Sequence, residues 1–485
     1  MGRNGSNKSQ VHGPIMKFRS FPIQRFAFAS FLAACAWLLF PTAVFSADRP
    51  NILWITCEDI NPQLGCFGDT YADTPNLDRF ATRGLRYRHC WSTAPVCAPA
   101  RTTLISGVYP TSTGSEHMRS EVTMPAWMRM YPQLLRERGY YCSNNSKEDY
   151  NLTQRGQVWD ESSRQAHWRN RKPGQPFFAV FNLEVSHESQ IRIRPHTLKH
   201  DPAKAPLPAY HPDTPEIRHD WAQYYDEGKL KPPQTFFWER KPPEELYDLQ
   251  TDRDEVKNLV NSPEHQPMLN ELRRAQREHA LKIRDVGFLT EAEQHRRSTS
   301  TTMYEMGHDP QQYPLEKILA MADLASLLKS EALPQLQSGM NDSDSAVRYW
   351  AVLGILMRGT QAVDTVRDPL RAALNDTSPS VRIAAAQALG QYGNDADLSL
   401  ALPVLKKLAP PDRNGAYVSM LALNAIDALG QKAAPLLETI KTMPTKDPSA
   451  VARANSYVAR LVQNITGSNS EQKPAPKKRP NRKKQ

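Results

Sequence analysis

Short, unbroken apolar runs punctuate the first part of the chain, and Ala/Leu-rich helical periods take over from about Tyr313. Residues 50–56 (Pro-Asn-Ile-Leu-Trp-Ile-Thr) form an apolar run that predicts a buried strand, ending in Cys57-Glu58-Asp59. Two carboxylates therefore stand at a strand's C-terminal end, the edge where open α/β sheets bind ligands. Thr74–Phe80 predicts a helix with Thr74 as N-cap and Pro75 at its first position, closed by Gly84. Leu85–His89 predicts a further strand, a helix begins near Pro99, and Leu134–Gly139 predicts another helix ending in glycine. Pro176–Leu183 (PFFAVFNL) is a strongly apolar strand followed by Glu184–His187. Strands alternating with helices indicate an α/β domain with a mostly parallel sheet. Residues 192–243, rich in Pro, His and aromatics, show no clear period.

The C-terminal part has a longer period. Asp344-Ser-Ala-Val-Arg348-Tyr-Trp-Ala is echoed by Thr377-Ser-Pro-Ser-Val-Arg382-Ile-Ala-Ala, and more weakly by Ala425–Gly430 and Ser449–Ala454. Arg348 to Arg382 is a step of 34 and Gly390 to Gly430 a step of 40, spacings that suit stacked helix pairs. The Asp376–Ala385 form resembles HEAT repeats.

Length and charge refine this picture. A chain of 485 residues is too long for one ordinary core. The net charge of +10 reflects in good part the C-terminal KPAPKKRPNRKKQ, a solvated basic arm, so it implies no specific nucleic-acid partner. Lys17, Arg19 and Arg25 precede an apolar run from Phe26 to Phe45 and small residues at Ser46 and Ala47, the pattern of a secretory signal. A retained membrane anchor, or lipid attachment at Cys35 in Leu-Ala-Ala-Cys, is the alternative. Each places the folded part outside the cytoplasm, periplasmic or extracellular. Five cysteines follow, Cys57, Cys66, Cys90, Cys97 and Cys142, an odd count that leaves at least one outside a structural disulfide. The expected organisation is a signal or anchor over 1–47, an α/β domain over 48–290, helical repeats over 313–466 and a basic tail over 467–485.

The chemistry centres on Cys97-Ala98-Pro99-Ala100-Arg101. This peptide resembles the Cys-x-Pro-x-Arg motif of type I, formylglycine-dependent sulfatases. Pro50–Leu53 with the acidic pair, Thr74–Asp78 and the helix over Thr102–Pro110 resemble further family stretches. The resemblance is strong over residues 49–190 and implies an alkaline-phosphatase-like parallel sheet. It also implies oxidation of Cys97 to formylglycine by a formylglycine-generating enzyme. The hydrated aldehyde attacks sulfur through one hydroxyl, and the other expels sulfate by restoring the aldehyde. A divalent cation neutralises the sulfate, and carboxylate oxygens suit calcium, or magnesium. Glu58, Asp59 and modified Cys97 are then the metal ligands. Arg101 points back to the diol, Lys147 and His187 contact sulfate and leaving group, and His117 is a substrate contact. The Cys-Glu-Asp and Glu244–Leu249 patterns look like heparan N-sulfatase-like members, which implies a sulfated carbohydrate as substrate.

Two departures limit the implied activity. Asp149 stands two residues after Lys147, where many sulfatases have histidine. The family's second acidic motif, Asp followed by His or Asn and then Gly, is missing from the sequence. His219–Asp226 instead runs within ten residues into Phe236–Arg240, as if a central block near 226–234 were deleted. Two carboxylates and a diol fall short of the roughly six to eight oxygens that calcium takes. Three explanations remain open: an inactive remnant that binds a protein partner through its repeats, an omission in the gene model of a working enzyme, or a compensating ligand such as Asp220 or Asp226.

Overall fold

The computed structural model describes residues 49–186 and 222–467. The expected signal with Cys35, His187, Asp220 and the basic tail beyond Gly467 lie outside the described residues.

Among the described residues, six strands form two parallel sheets: β1 (Ile52–Cys57), β2 (Val122–Thr123), β3 (Tyr141–Asn145), β4 (Leu152–Thr153), β5 (Glu161–Ser162) and β6 (Phe177–Leu183). The larger sheet has the order β1-β6-β3-β5, and β2 pairs with β4. Every pairing is parallel, with Thr56 opposite Asn182 and Asn145 opposite Phe181. All four strands of the main sheet therefore deliver their C-terminal ends to one edge. Helices α1 (Pro75–Ala81), α2 (Cys97–Ser106) and α3 (Tyr131–Glu137) accompany the strands. Met124, Met130, Cys142, Trp159 and Phe178 build the core beneath, with Phe178 stacked on Trp159.

Three local expectations are corrected. Leu85–His89 is not a strand, and Leu85 and Tyr87 are exposed because no neighbouring strand pairs with them. β1 forms where expected but is not buried. Among the described residues it pairs only with β6, and Leu53, Trp54 and Ile55 are solvent-accessible, Ile55 at 61%. Thr74 stands at the N-cap of α1, yet its hydroxyl accepts from Gly65 N and donates to Asp78 instead of capping. That helix ends at Ala81, ahead of Gly84. None of the five described cysteines is in a disulfide.

Three helices connect the sheet domain to the repeats: α4 (Gln266–Ile283), α5 (Glu291–Arg297) and α6 (Met303–His308). Helices α7 (Leu315–Ser326), α8 (Ser345–Met357), α9 (Pro379–Tyr392), α10 (Asp395–Leu408), α11 (Ala416–Leu429) and α12 (Ala452–Thr466) then stack in sequence. Small residues set the spacing: a Cβ at Gly354 would meet Leu336, and one at Gly390 would meet Leu429. The repeated Asp and Arg are structural. Asp344 caps α8 through Ala346 N at 2.7 Å, and Arg348 forms a two-pronged pair with Asp376 at 2.6 and 2.8 Å.

One carboxylate ties the connector to the stack. Glu293, 1% exposed, accepts from Ser345 Oγ at 2.9 Å and Ser378 Oγ at 2.8 Å, at the N-termini of α8 and α9. Free N–H groups and the helix dipole favour a negative charge there. Arg296 and Arg297 complete its shell. The connector also grips the sheet domain, with Val286 N donating to Thr111 O at 2.8 Å and Ser112 Oγ to Ile283 O at 2.7 Å.

Candidate active site

Topology brings the chemistry together at the C-terminal edge of the sheet. Glu58 follows β1, Lys147 follows β3, Asn182 lies near the end of β6, and Cys97 is the first residue of α2. Val96, in extended conformation, precedes the helix without a side-chain cap, so the first N–H groups of α2 are not claimed by a side chain there. Arg101 lies one turn further along α2 and points the same way as Cys97.

Glu58 is the centre. Its side chain is 4% exposed, and Lys147 Nζ lies 2.6 Å from Oε2 while Arg101 Nη2 donates to Oε1. Cys97 Sγ stands 3.7 Å from Glu58 Oε2. Burial pushes the Glu58 carboxyl up, but the Lys147 hydrogen bond and the Arg101 charge outweigh it and hold it below its ordinary value. Burial also raises the Cys97 thiol; Lys147 opposes this, whereas Glu58, Asp59 and Asp149 reinforce it. An unmodified Cys97 is therefore a protonated thiol at neutral pH, poorly suited to act as a thiolate nucleophile.

The expected metal ligands do converge. Donor atoms of Glu58, Asp59 and Cys97 lie within 4.8 Å of one another, the one such group among the described residues. Asp226 is exposed at the end of a short helix and does not join them. Two carboxylates and a sulfur make half of a hard-cation site. Glu58 has both oxygens engaged by Arg101 and Lys147. The described residues thus do not complete a calcium or magnesium shell.

Two groups of residues escaped the sequence reading. Asn182, buried in β6, accepts from Arg101 Nη1 at 2.9 Å and Thr56 Oγ1 at 2.7 Å, and donates to Asn144 Oδ1 at 3.0 Å. It holds Arg101 against Glu58, and its one signal was a lone amide inside PFFAVFNL. Asp149 is clasped by Arg119, Nε to Oδ1 at 2.9 Å and Nη2 to Oδ2 at 3.2 Å. The residue in the histidine's place is therefore ion-paired, and nothing in the local sequence marked Arg119. His117 has its backbone carbonyl held by Asn151 at 2.7 Å, and its ring lies 3.6 Å from Glu116. Among the described residues the ring thus meets Glu116 and not the Glu58 cluster.

A parallel-sheet α/β domain followed by stacked helix pairs, with a cysteine, a carboxylate and two cations at the sheet's C-terminal edge, defines a two-part protein with a candidate site on its first part. Comparison with known proteins gives the families. Residues 50–227 match the sulfatase family, and residues 333–426 and 367–457 match HEAT repeats. The chain thus carries a sulfatase domain followed by HEAT repeats. Its N-terminal part is 44% identical over 156 residues to an ulvan-active sulfatase of Formosa agariphila, covering 30% of this chain and 26% of that protein. It is 32% identical over 103 residues to human iduronate 2-sulfatase, covering 21% of this chain and 19% of that protein. It is 34% identical over 110 residues to N-acetylgalactosamine-6-sulfatase of Canis lupus familiaris, covering 20% of this chain and 21% of that protein. The chain spans about a quarter or less of the length of these curated relatives.

Proposed function

We propose that this protein hydrolyses sulfate esters or N-sulfates on a sulfated carbohydrate, with residue 97 acting as formylglycine after oxidation by a formylglycine-generating enzyme. The observation that carries this reading is Cys97 at the start of α2, with Arg101 one turn along the same helix and Glu58 and Lys147 brought in from the ends of β1 and β3. Bound calcium or magnesium would supply charge neutralisation for the sulfate, with Glu58, Asp59 and residue 97 as its ligands on this side. Arg101 and Lys147 place two positive charges where a sulfate would sit, and Asn182 fixes the direction of the guanidinium. Oxidation of residue 97 exchanges a soft sulfur for hard oxygens, which suits such a cation better. His187 and His117 are the proposed contacts to the leaving group and substrate. The substrate class follows the printed names of the relatives, which include an ulvan-active sulfatase.

A second reading has its own observation. Both oxygens of Glu58 are neutralised by protein cations, as expected of a scaffold that has given up its metal and binds a partner through its repeats. The apparent deletion near 226–234 belongs to this reading. Co-expression with a formylglycine-generating enzyme separates the two. Mass analysis of the Cys97 peptide and release of aryl sulfate with calcium, then with a chelator, are the readouts. Conversion with metal-dependent turnover is expected; an unmodified Cys97 without turnover overturns the enzyme reading.

A further inference from the structure

The helix that carries Cys97 is linked by hydrogen bonds to a cavity between the sheet domain and the repeats. Thr102 Oγ1 of α2 accepts from Asn151 N at 2.8 Å. The side chain of Asn151 then grips the following segment, donating to Ser115 O at 2.6 Å and His117 O at 2.7 Å and accepting from Arg119 N at 2.7 Å. Its carbonyl accepts from Val122 N at 2.8 Å. Arg119 faces the candidate site through its pair with Asp149. The next residues, Ser120 to Thr123, line a cavity of about 590 Å3.

The opposite wall of this cavity comes from the connector and the HEAT repeats, including Thr301, Ser380, Tyr417 and Ser449. Pockets of roughly 300–1,000 Å3 hold drug-sized ligands. Several of the lining side chains carry hydroxyl groups, Glu121 adds a carboxylate, and the remaining charges are paired. Arg296 is paired with Glu293, and Asp447 accepts from Ala416 N at 3.0 Å and Ser449 Oγ at 2.6 Å. Tyr417 adds an aromatic ring, stacked on His295 with centroids 3.9 Å apart. Ser120 Oγ and His295 Nε2, on the same lining, are buried without a hydrogen-bonding partner. Buried polar atoms left in that state mark a place for water or a ligand. Hydroxyls, the Asn414 amide, the Glu121 carboxylate and an aromatic ring, without a free cation, favour an uncharged, polyhydroxylated ligand over an anion.

We propose that this cavity is a saccharide subsite, shared between the sheet domain and the HEAT repeats, that holds the unsulfated portion of a carbohydrate chain. The ligand class rests on the carbohydrate-sulfatase reading given above. The segment 115–123 pairs with Asp149 through Arg119 and lines the cavity through Ser120 to Thr123, so one short segment connects a sugar held there to the candidate site. The repeats then take part in choosing the substrate.

The test uses the full chain with Cys97→Ala, titrated calorimetrically with an unsulfated tetrasaccharide prepared by desulfating ulvan. Binding is expected, inorganic sulfate is expected not to compete, and Tyr417→Ala or Ala450→Trp should each weaken binding tenfold or more. Tyr417→Phe should retain it, and thermal melts confirm that each variant is folded. With Cys97 intact, KM for the sulfated tetrasaccharide should rise about tenfold in Tyr417→Ala, with kcat/KM for a small aryl sulfate unchanged. Absence of tetrasaccharide binding, or binding indifferent to both cavity variants, overturns the proposal. Tyr417-dependent binding without aryl sulfate turnover in the unaltered chain would overturn the enzyme reading and leave the subsite standing.

Discussion

Lys147 Nζ stands 2.6 Å from Glu58 Oε2, and Arg101 takes the other oxygen of the same carboxylate. All three side chains are largely withdrawn from water, Arg101 and Lys147 at 13% and 15% exposure. Glu58→Ala would leave two cations without their counter-charge, a loss of about 3–5 kcal/mol for a buried arrangement of this kind. A lower urea midpoint with an unchanged m value is expected. An unchanged midpoint would show that water already screens the cluster.

Glu293 predicts acid sensitivity at the junction. Burial pushes its carboxyl up, but Arg296, Ser378 and Arg297 overcome this and hold it at about 2, below the ordinary 4.5. A carboxylate with a lowered folded pKa stabilises the fold above its unfolded pKa, and this contribution disappears as pH falls through the folded value. The window runs from pH 4.5 down to 2, and the contribution is about 3 kcal/mol. Glu293→Gln should lose that stability at pH 7 and show a flatter profile through the window, read by denaturation at successive pH values.

Glu116 works in the opposite sense. Burial lifts its carboxyl to about 7; a hydrogen bond from Gln294 opposes the rise and the nearby Asp285 adds to it. A raised folded pKa gives stability that is complete below the unfolded value of 4.5 and lost as pH rises through 7. Its Oε2 has no hydrogen-bonding partner, so ionisation is compensated only in part, through the contacts of Oε1. Glu116→Gln should therefore abolish the loss of stability between pH 4.5 and 7. Thermal melts across that range decide it; parallel profiles for the two proteins would refute the assignment.

The exposed edge of β1 predicts self-association. With no second partner among the described residues, an edge strand with accessible Leu53, Trp54 and Ile55 offers backbone groups and apolar side chains to another chain. Trp54 packs edge-on against Phe178 and is needed by the core, whereas Ile55 is the most exposed of the three. Ile55→Lys should leave the circular dichroism spectrum unchanged and reduce light scattering at high concentration. Equal scattering from both proteins would place the association elsewhere.

Much of this architecture was legible in the residues. Unbroken apolar runs marked β1 and β6, of which β6 is largely buried and β1 is not, and the Asp and Arg echoes marked α8 and α9. Glu58, Asp59, Cys97, Arg101 and Lys147 were picked out by motif and fall at the same sheet edge. Leu85–His89 was misread because alternation describes a strand only when a neighbour exists to pair with it. Asn182, Arg119 and Glu293 were missed for a shared reason. Each acts on partners distant in sequence, Glu293 on Ser378 across 85 positions, and no local pattern encodes such a meeting.

The Glu293 contacts also bear on how such a chain can change over evolutionary time. Solenoids usually lengthen and shorten by whole units, since each unit touches only its neighbours. Here the helices at Ser345 and Ser378 answer to a shared carboxylate outside the array. Duplicating or removing a unit between them would strand that charge, whereas units beyond α9 make no contact with Glu293 among those described. The contacts of Glu293 therefore favour change in array length at the distal end and tie the proximal pair to the sheet domain.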